Sequence, residues 1–235
     1  MPPPPRPGRL WLVAVGVLAL AVAVNLGTPL VAAAAFRGYL MALLPSRALD
    51  VRLMAWPPLA LWWGRVDLLT VAADDVQIGT LQLARFDARL SDMRFDPKAL
   101  LVQHRVVIDS VRLGVAQATV SQAELAHALV LQPNVRVDSI VLRRDQVLLK
   151  GAVRVLGAEL PADGVGHLVL NGDTAIDLVL DRVTVAGGAV SMPNGGPALT
   201  LKSVIAVPPL PFGFRLTAVR TDDGKLVLDA GTGSS

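Results

Sequence analysis

The stretch LQLARFDARL, Leu81 to Leu90, decides how the rest of the chain is read. Leu81 and Leu83 alternate with polar neighbours and share one face of a strand. Phe86, Ala88 and Leu90 alternate as well, but on the opposite parity. A strand whose inward residues change parity midway must bulge or coil sharply at the change. The chain is therefore expected to build a long strand that bends around something.

Working outward, period two recurs in DVRLMAW (50–56), VRLGVAQATV (111–120), NVRVDSIVL (134–142), VLLKGAVRVLG (147–157), TAIDLVLDRVTV (174–185) and GFRLTAV (213–219). Turn signals separate these runs at Gly79, Gly151, Gly157, Asn171-Gly172, Gly187-Gly188 and Asp223-Gly224. RLTAVRTDDGKLVLDA (215–230) reads as a closing hairpin, because its Asp-Gly turn is flanked by alternating residues. The neighbouring acids Asp74 and Asp75 are expected at a turn or strand end, since neighbours on a strand point to opposite faces. MPNGGPALTLKSVIAVPPLP (192–211), rich in Pro and Gly, is expected to be an excursion between strands.

Helical patterns interrupt the strands. FDPKALL offers Asp96 as an N-cap and Pro97 at the first helical position. In SQAELAHALVLQP, Ser121 and Glu124 have the spacing of a capping box, and Pro133 ends the pattern. PLVAAAAFRGYLMALL (29–44) opens on Pro29 and stops at Pro45, with Arg37 its only charge. So apolar a helix must be enclosed by protein or lie against lipid. The sum is an α+β fold: a curved, mainly antiparallel sheet with one or two helices packed in it.

Ahead of this, MPPPPRPGR carries Arg6 and Arg9 without an acid, and LWLVAVGVLALAVAV follows. A basic head before an apolar run reads as an export signal whose positive end stays in the cytoplasm. Residues 1–28 are thus a cleaved signal peptide or a retained membrane anchor, with small-residue cleavage options at Ala32-x-Ala34 and Ala33-x-Ala35. In both cases the domain, 29–230, is expected on the outer side of the cytoplasmic membrane, anchored, secreted or periplasmic. Residues 231–235 are expected to be a disordered tail.

Composition narrows the chemistry. The chain is 53% hydrophobic and 17% charged, well under the charge of most soluble domains. Its net charge of +3 comes from basic residues interleaved with Asp and without a basic run, which argues against nucleic acid as a partner. The absence of cysteine removes disulfides, Cys-ligated metals and thiol catalysis. His104, His127 and His167 are scattered, and His127 falls on the polar face of its helix. There is no GxSxG, HExxH, S-x-x-K or Walker pattern. The expectation is a protein that is not an enzyme, with no metal or cofactor.

Three of the four tryptophans, Trp56, Trp62 and Trp63, crowd into AWPPLALWWGRVDLL (55–69). An indole has an apolar body and a polar N–H, which suits a boundary between lipid and water. The segment reads as a rim that meets a bilayer, as the mouth of a lipid cavity, or as a packed corner beside Pro57-Pro58.

In order along the chain, PPLALWWGRVDLLTVAADDVQIG, RFDPKALL, GAVRVLGAELP and PPLPFGFRLTAVRTDDGKLVLDAGTG resemble the LmeA-like family of bacterial cell-envelope phospholipid-binding proteins. The resemblance spans roughly residues 30–232. Its most specific pieces are Gly64-Arg65, the run Arg154 to Pro161, and the approach to the last hairpin. It implies a curved sheet wrapped on helices, as in tubular lipid-binding domains, phospholipid as ligand, and a role in envelope lipid homeostasis or transport without catalytic residues. The candidate lipid contacts are Ala34, Tyr39, Leu40, Leu43, Trp56, Trp62, Trp63, Phe212 and Phe214. The helix of 29–44 is expected in the concave face of the sheet, with the tryptophans as the mouth at one end. The alternative is a structural or interaction module of an envelope complex, with a filled core and the same patch serving as a protein interface.

Overall fold

A computed structural model of the chain describes residues 32–34, 36–42, 44–78, 81–103, 105–128, 135–155, 158–185, 188–191, 199–207 and 210–232. The expected N-terminal membrane segment lies outside them. No helix among the described residues is long and apolar enough to cross a membrane.

The domain is mostly antiparallel sheet. The strands are β1 (Ala48–Met54), β2 (Arg65–Ile78), β3 (Leu81–Phe95), β4 (Ile108–Ser121), β5 (Val135–Arg143), β6 (Gln146–Val155), β7 (Ala158–Asn171), β8 (Ala175–Val185), β9 (Gly188–Ser191), β10 (Leu199–Ala206), β11 (Phe214–Asp222) and β12 (Lys225–Thr232). They form two open sheets, ordered β1-β2-β3-β4-β12-β11 and β10-β8-β7-β6-β5, with β9 paired to β8. Helices are short: α1, with helical residues at 32–34 and 36–42, α2 (Pro97–Gln103) and α3 (Gln122–Ala128). Strand thus takes a larger share than an even α+β balance, and one expected sheet is two.

The parity change in β3 is a coil shared with its partner strand. In β2 and β3, Val66 faces Met93, Leu69 faces Leu90, Val71 faces Ala88, Ala73 faces Phe86 and Val76 faces Leu83. All of these side chains are buried. Between them the inward set changes parity twice, and on both strands at the same rows. The hairpin's register is unbroken through both changes. The first change leaves Asp74 and Asp75 both exposed, with Asp75 at φ 53°. The second falls beside Asp92, at φ 50°. Asp tolerates this left-handed conformation better than most residues. Asp74-Asp75 is therefore a mid-strand coil, not the expected turn or strand end, and it leaves both carboxylates on the solvent side.

The helix caps form as their residue types dictate. The Asp96 carboxylate accepts the backbone N–H groups of Lys98 (2.7 Å) and Ala99 (3.3 Å). Ser121 Oγ accepts the N–H of Glu124 at 3.2 Å. Gln122, one residue on, accepts the Leu142 N–H through Oε1 at 3.0 Å, so α3 ties β4 to the second sheet.

The sheets meet at their turns. Asp145 N–H donates to Thr221 O (3.1 Å), Gly224 N–H to Leu142 O (3.1 Å) and Leu216 N–H to Asp173 O (3.4 Å). The closing hairpin β11–β12 turns at Asp223-Gly224, as its sequence requires, and one apolar core runs through both sheets. β12 continues to Thr232, into the segment expected to be a disordered tail.

Two other sequence expectations fail for identifiable reasons. Gly151 is no turn: it lies inside β6, and a Cβ there would stand 1.9 Å from Arg136 O, where β5 is irregular between Val137 and Ser139. The excursion at 192–211 contains β10, whose register with β8 shifts between Leu201 and Ile205. That shift hides the alternation, and buried Asp177 secures it by accepting the Ser203 N–H at 2.6 Å and Asn171 Nδ2 at 2.9 Å.

Candidate lipid-binding site

The described residues line an apolar cavity toward the turn end of the β2–β3 hairpin. Ile78, Leu81, Leu83 and Phe86 supply one wall, Ala116 and Ala118 of β4 the floor, and Leu216, Leu228 and Ala230 of the closing hairpin the other side. Val207 and Leu210, from the chain between β10 and β11, complete it. The alanines leave the room: inward positions of β4 and β12 carry a methyl where their neighbours carry longer side chains. The free space is about 20 Å³, close to one water's worth and well short of an acyl chain. Every lining residue is a hydrocarbon side chain, so the cavity can hold apolar matter and offers no acid, base or nucleophile.

The sequence-selected residues do not converge there. In α1 Ala32, Phe36 and Leu40 form the buried stripe, continued just past the helix by Leu44, while Tyr39 is half-buried and Ala34 is exposed. Leu43 lies outside the described residues. The stripe packs into the core, with the Phe36 ring edge-on to Phe95. Phe214 is buried and Phe212 half-buried, their rings 6.3 Å apart at 86°. Phe214 stands two residues before Leu216, close to the cavity but not among its lining. The residues that sequence reasoning missed, Ala116, Ala118 and Ala230 among them, had a signal: small side chains at inward parity in GVAQATV and LVLDAG.

The tryptophans sit at the other end of the hairpin. The lining runs from the row of Ala116, level with Val71, to Ile78, six to thirteen residues along β2 from Arg65, so at about 3.3 Å per residue the strand path from the tryptophans to the cavity is roughly 20–43 Å. Pro58–Trp63 forms a 3-10 turn that Gly64 closes at φ 70°. Only glycine fits, since a Cβ on Gly64 would come within 1.9 Å of Phe95 O. Trp56, Trp62 and Trp63 are 83%, 50% and 72% exposed, and Met54, Leu59 and Val102 are exposed with them. The tryptophans are neither a packed corner nor the mouth of this cavity.

A family model of LmeA-like phospholipid-binding proteins matches residues 18–231. The chain belongs to this family. No curated protein and no solved structure matches it. Membership makes lipid binding the family-level property against which the cavity and the tryptophan-bearing surface are to be read.

Proposed function

We propose that the protein binds phospholipid without catalysis, taking acyl chain into the apolar interior at the turn end of the β2–β3 hairpin. The observation that carries this reading is the purely hydrocarbon cavity in a member of a phospholipid-binding family. The free space of about 20 Å³ is smaller than an acyl chain, so loading requires the lining side chains to move apart.

The hairpin and α1 support the tubular arrangement in which a curved sheet wraps a helix. Phe36 meets Phe95 near one end of the hairpin, while Pro45 O, just past α1, accepts the Gln77 N–H near the other. A helix this short bridges two such distant rows when the strands curl over it. The export signal read from residues 1–28 supports a site of action on the outer side of the cytoplasmic membrane, in envelope lipid homeostasis or transport.

Native mass spectrometry of the full chain, released in mild detergent, tests the reading. Phospholipid retained at a defined stoichiometry supports it, and clean apoprotein under conditions that preserve the fold overturns it. The small free volume favours a second reading, an interaction module with a filled core. Co-purification of a stoichiometric envelope protein together with clean apoprotein would establish that one instead.

A further inference from the structure

The outer face of the first sheet carries a groove of about 380 Å³ beside the tryptophans, lined by three residues from each of β2, β3 and β4. One bank is Arg65, Arg94 and Ser110, which stand directly opposite one another across the strands. The other bank is Asp67, Asp92 and Arg112. Val66, Met93 and Val111 form the floor between them.

Arg65 and Arg94 are paired cross-strand neighbours of like charge, an arrangement that costs stability unless something neutralises it. Elsewhere this chain neutralises such charges locally. Arg52 bonds Asp50, Arg85 bonds Asp87 and Arg136 bonds Asp138, each two residues away on its own strand. Arg65 with Asp67, and Arg94 with Asp92, have the same spacing. Among the described residues, neither of these two pairs forms an ion pair. The carboxylates are committed elsewhere: Asp67 accepts the backbone N–H of Trp56, and Asp92 pairs with Arg112 at 3.3 Å. Two exposed guanidiniums are left facing one groove, with the Ser110 hydroxyl in their row.

We propose that this groove takes the phosphate of an anionic phospholipid in a bilayer surface, while Trp56, Trp62 and Trp63 enter the interfacial layer beside it. Two features single out a bilayer over free phosphate. The Trp56–Asp67 bond joins the tryptophan segment to the groove's bank, so phosphate and apolar layer are met together. The exposed Met54, Leu59 and Val102 extend the apolar margin. Arginine forks suit phosphate oxygens, and indoles suit the headgroup boundary. The proposal takes only the ligand class from the phospholipid reading. It concerns a docking surface, with the acyl cavity far along the hairpin.

The test uses the full chain with Trp11→Phe, so that tryptophan emission reports the cluster alone. It is reconstituted in phosphatidylcholine vesicles with or without phosphatidylglycerol, with brominated acyl chains as quencher. Phosphatidylglycerol is expected to bring a blue shift and stronger quenching, reversed by salt and unaffected by millimolar inorganic phosphate. Arg65→Ala/Arg94→Ala should weaken this docking about thirty-fold while the melting temperature holds or rises. Equal quenching in neutral and anionic vesicles overturns the proposal, as does a double variant that docks like the parent or competition by free phosphate. Lipid retained in native mass spectrometry is scored separately on the same variants and should not change. In the parent chain, docking without retained lipid sinks the cavity reading alone, and retained lipid without a preference for anionic vesicles sinks the docking surface alone.

Discussion

The Phe36 ring meets the Phe95 ring edge-on, with centroids 5.4 Å apart and planes at 86°. This contact joins α1 to the end of the long hairpin, and both side chains are buried. Phe36→Ala removes the ring and leaves a void that the sheet only partly fills. A loss of about 3–5 kcal/mol is expected in urea unfolding. Phe36→Leu should recover more than half of it.

Cavity filling separates α1 from the acyl site. Ala116→Leu inserts three carbons where about 20 Å³ is free, so lipid retention should fall. The overpacking costs about 1–3 kcal/mol. Ala34→Trp, on the exposed side of α1, should retain lipid and melt close to the parent. Lipid loading and thermal melts measured on both variants check the pair. Normal loading of folded Ala116→Leu would move the acyl site elsewhere.

Asp177 holds the irregular part of β10. Asp177→Ala leaves the Ser203 N–H and Asn171 without their buried acceptor, at a cost of about 1–3 kcal/mol. Hydrogen exchange should show the loss first at Ser203, ahead of any change in the first sheet.

Acid should loosen the closing turn. The N–H of Asp223 and, to a lesser degree, the Lys225 ammonium hold the Asp222 carboxyl below its ordinary value of 3.8. A carboxyl with a lowered folded pKa contributes stability above the unfolded value and loses it as pH falls through the folded one. Exchange of the Asp223 amide should therefore quicken only below the usual carboxylate range. Asp222→Asn should remove that dependence.

Much of this architecture was legible in local pattern. The parity change between Leu83 and Phe86, the caps at Asp96 and Ser121, and the Asp223-Gly224 turn each depend on residues within a few positions of one another. The unread parts depend on partners far along the chain. Period two assigns the faces of one strand but not its neighbours, so nothing in TAIDLVLDRVTV or VRLGVAQATV says that they belong to separate sheets. β10 escaped because the register shift between Leu201 and Ile205 turns Ser203 outward and Val204 inward, which interrupts the alternation of Leu201, Ile205 and Val207. The groove escaped because Arg65, Arg94 and Ser110 become neighbours only once three strands are in register. The tryptophans were conspicuous, but their distance from the cavity is a property of strand length and direction.

The matched coils of β2 and β3 constrain how this hairpin can change length. Val66, Leu69, Ala73 and Val76 stay opposite Met93, Leu90, Phe86 and Leu83 only because each strand spends the same number of residues on each turn-over. One codon added or lost in either strand alone would throw every row beyond it out of step, exchanging inward for outward side chains. Length variation within the hairpin is therefore tolerable when it comes in compensating pairs, one on each strand at the same row. The turn at its tip is free of that bookkeeping.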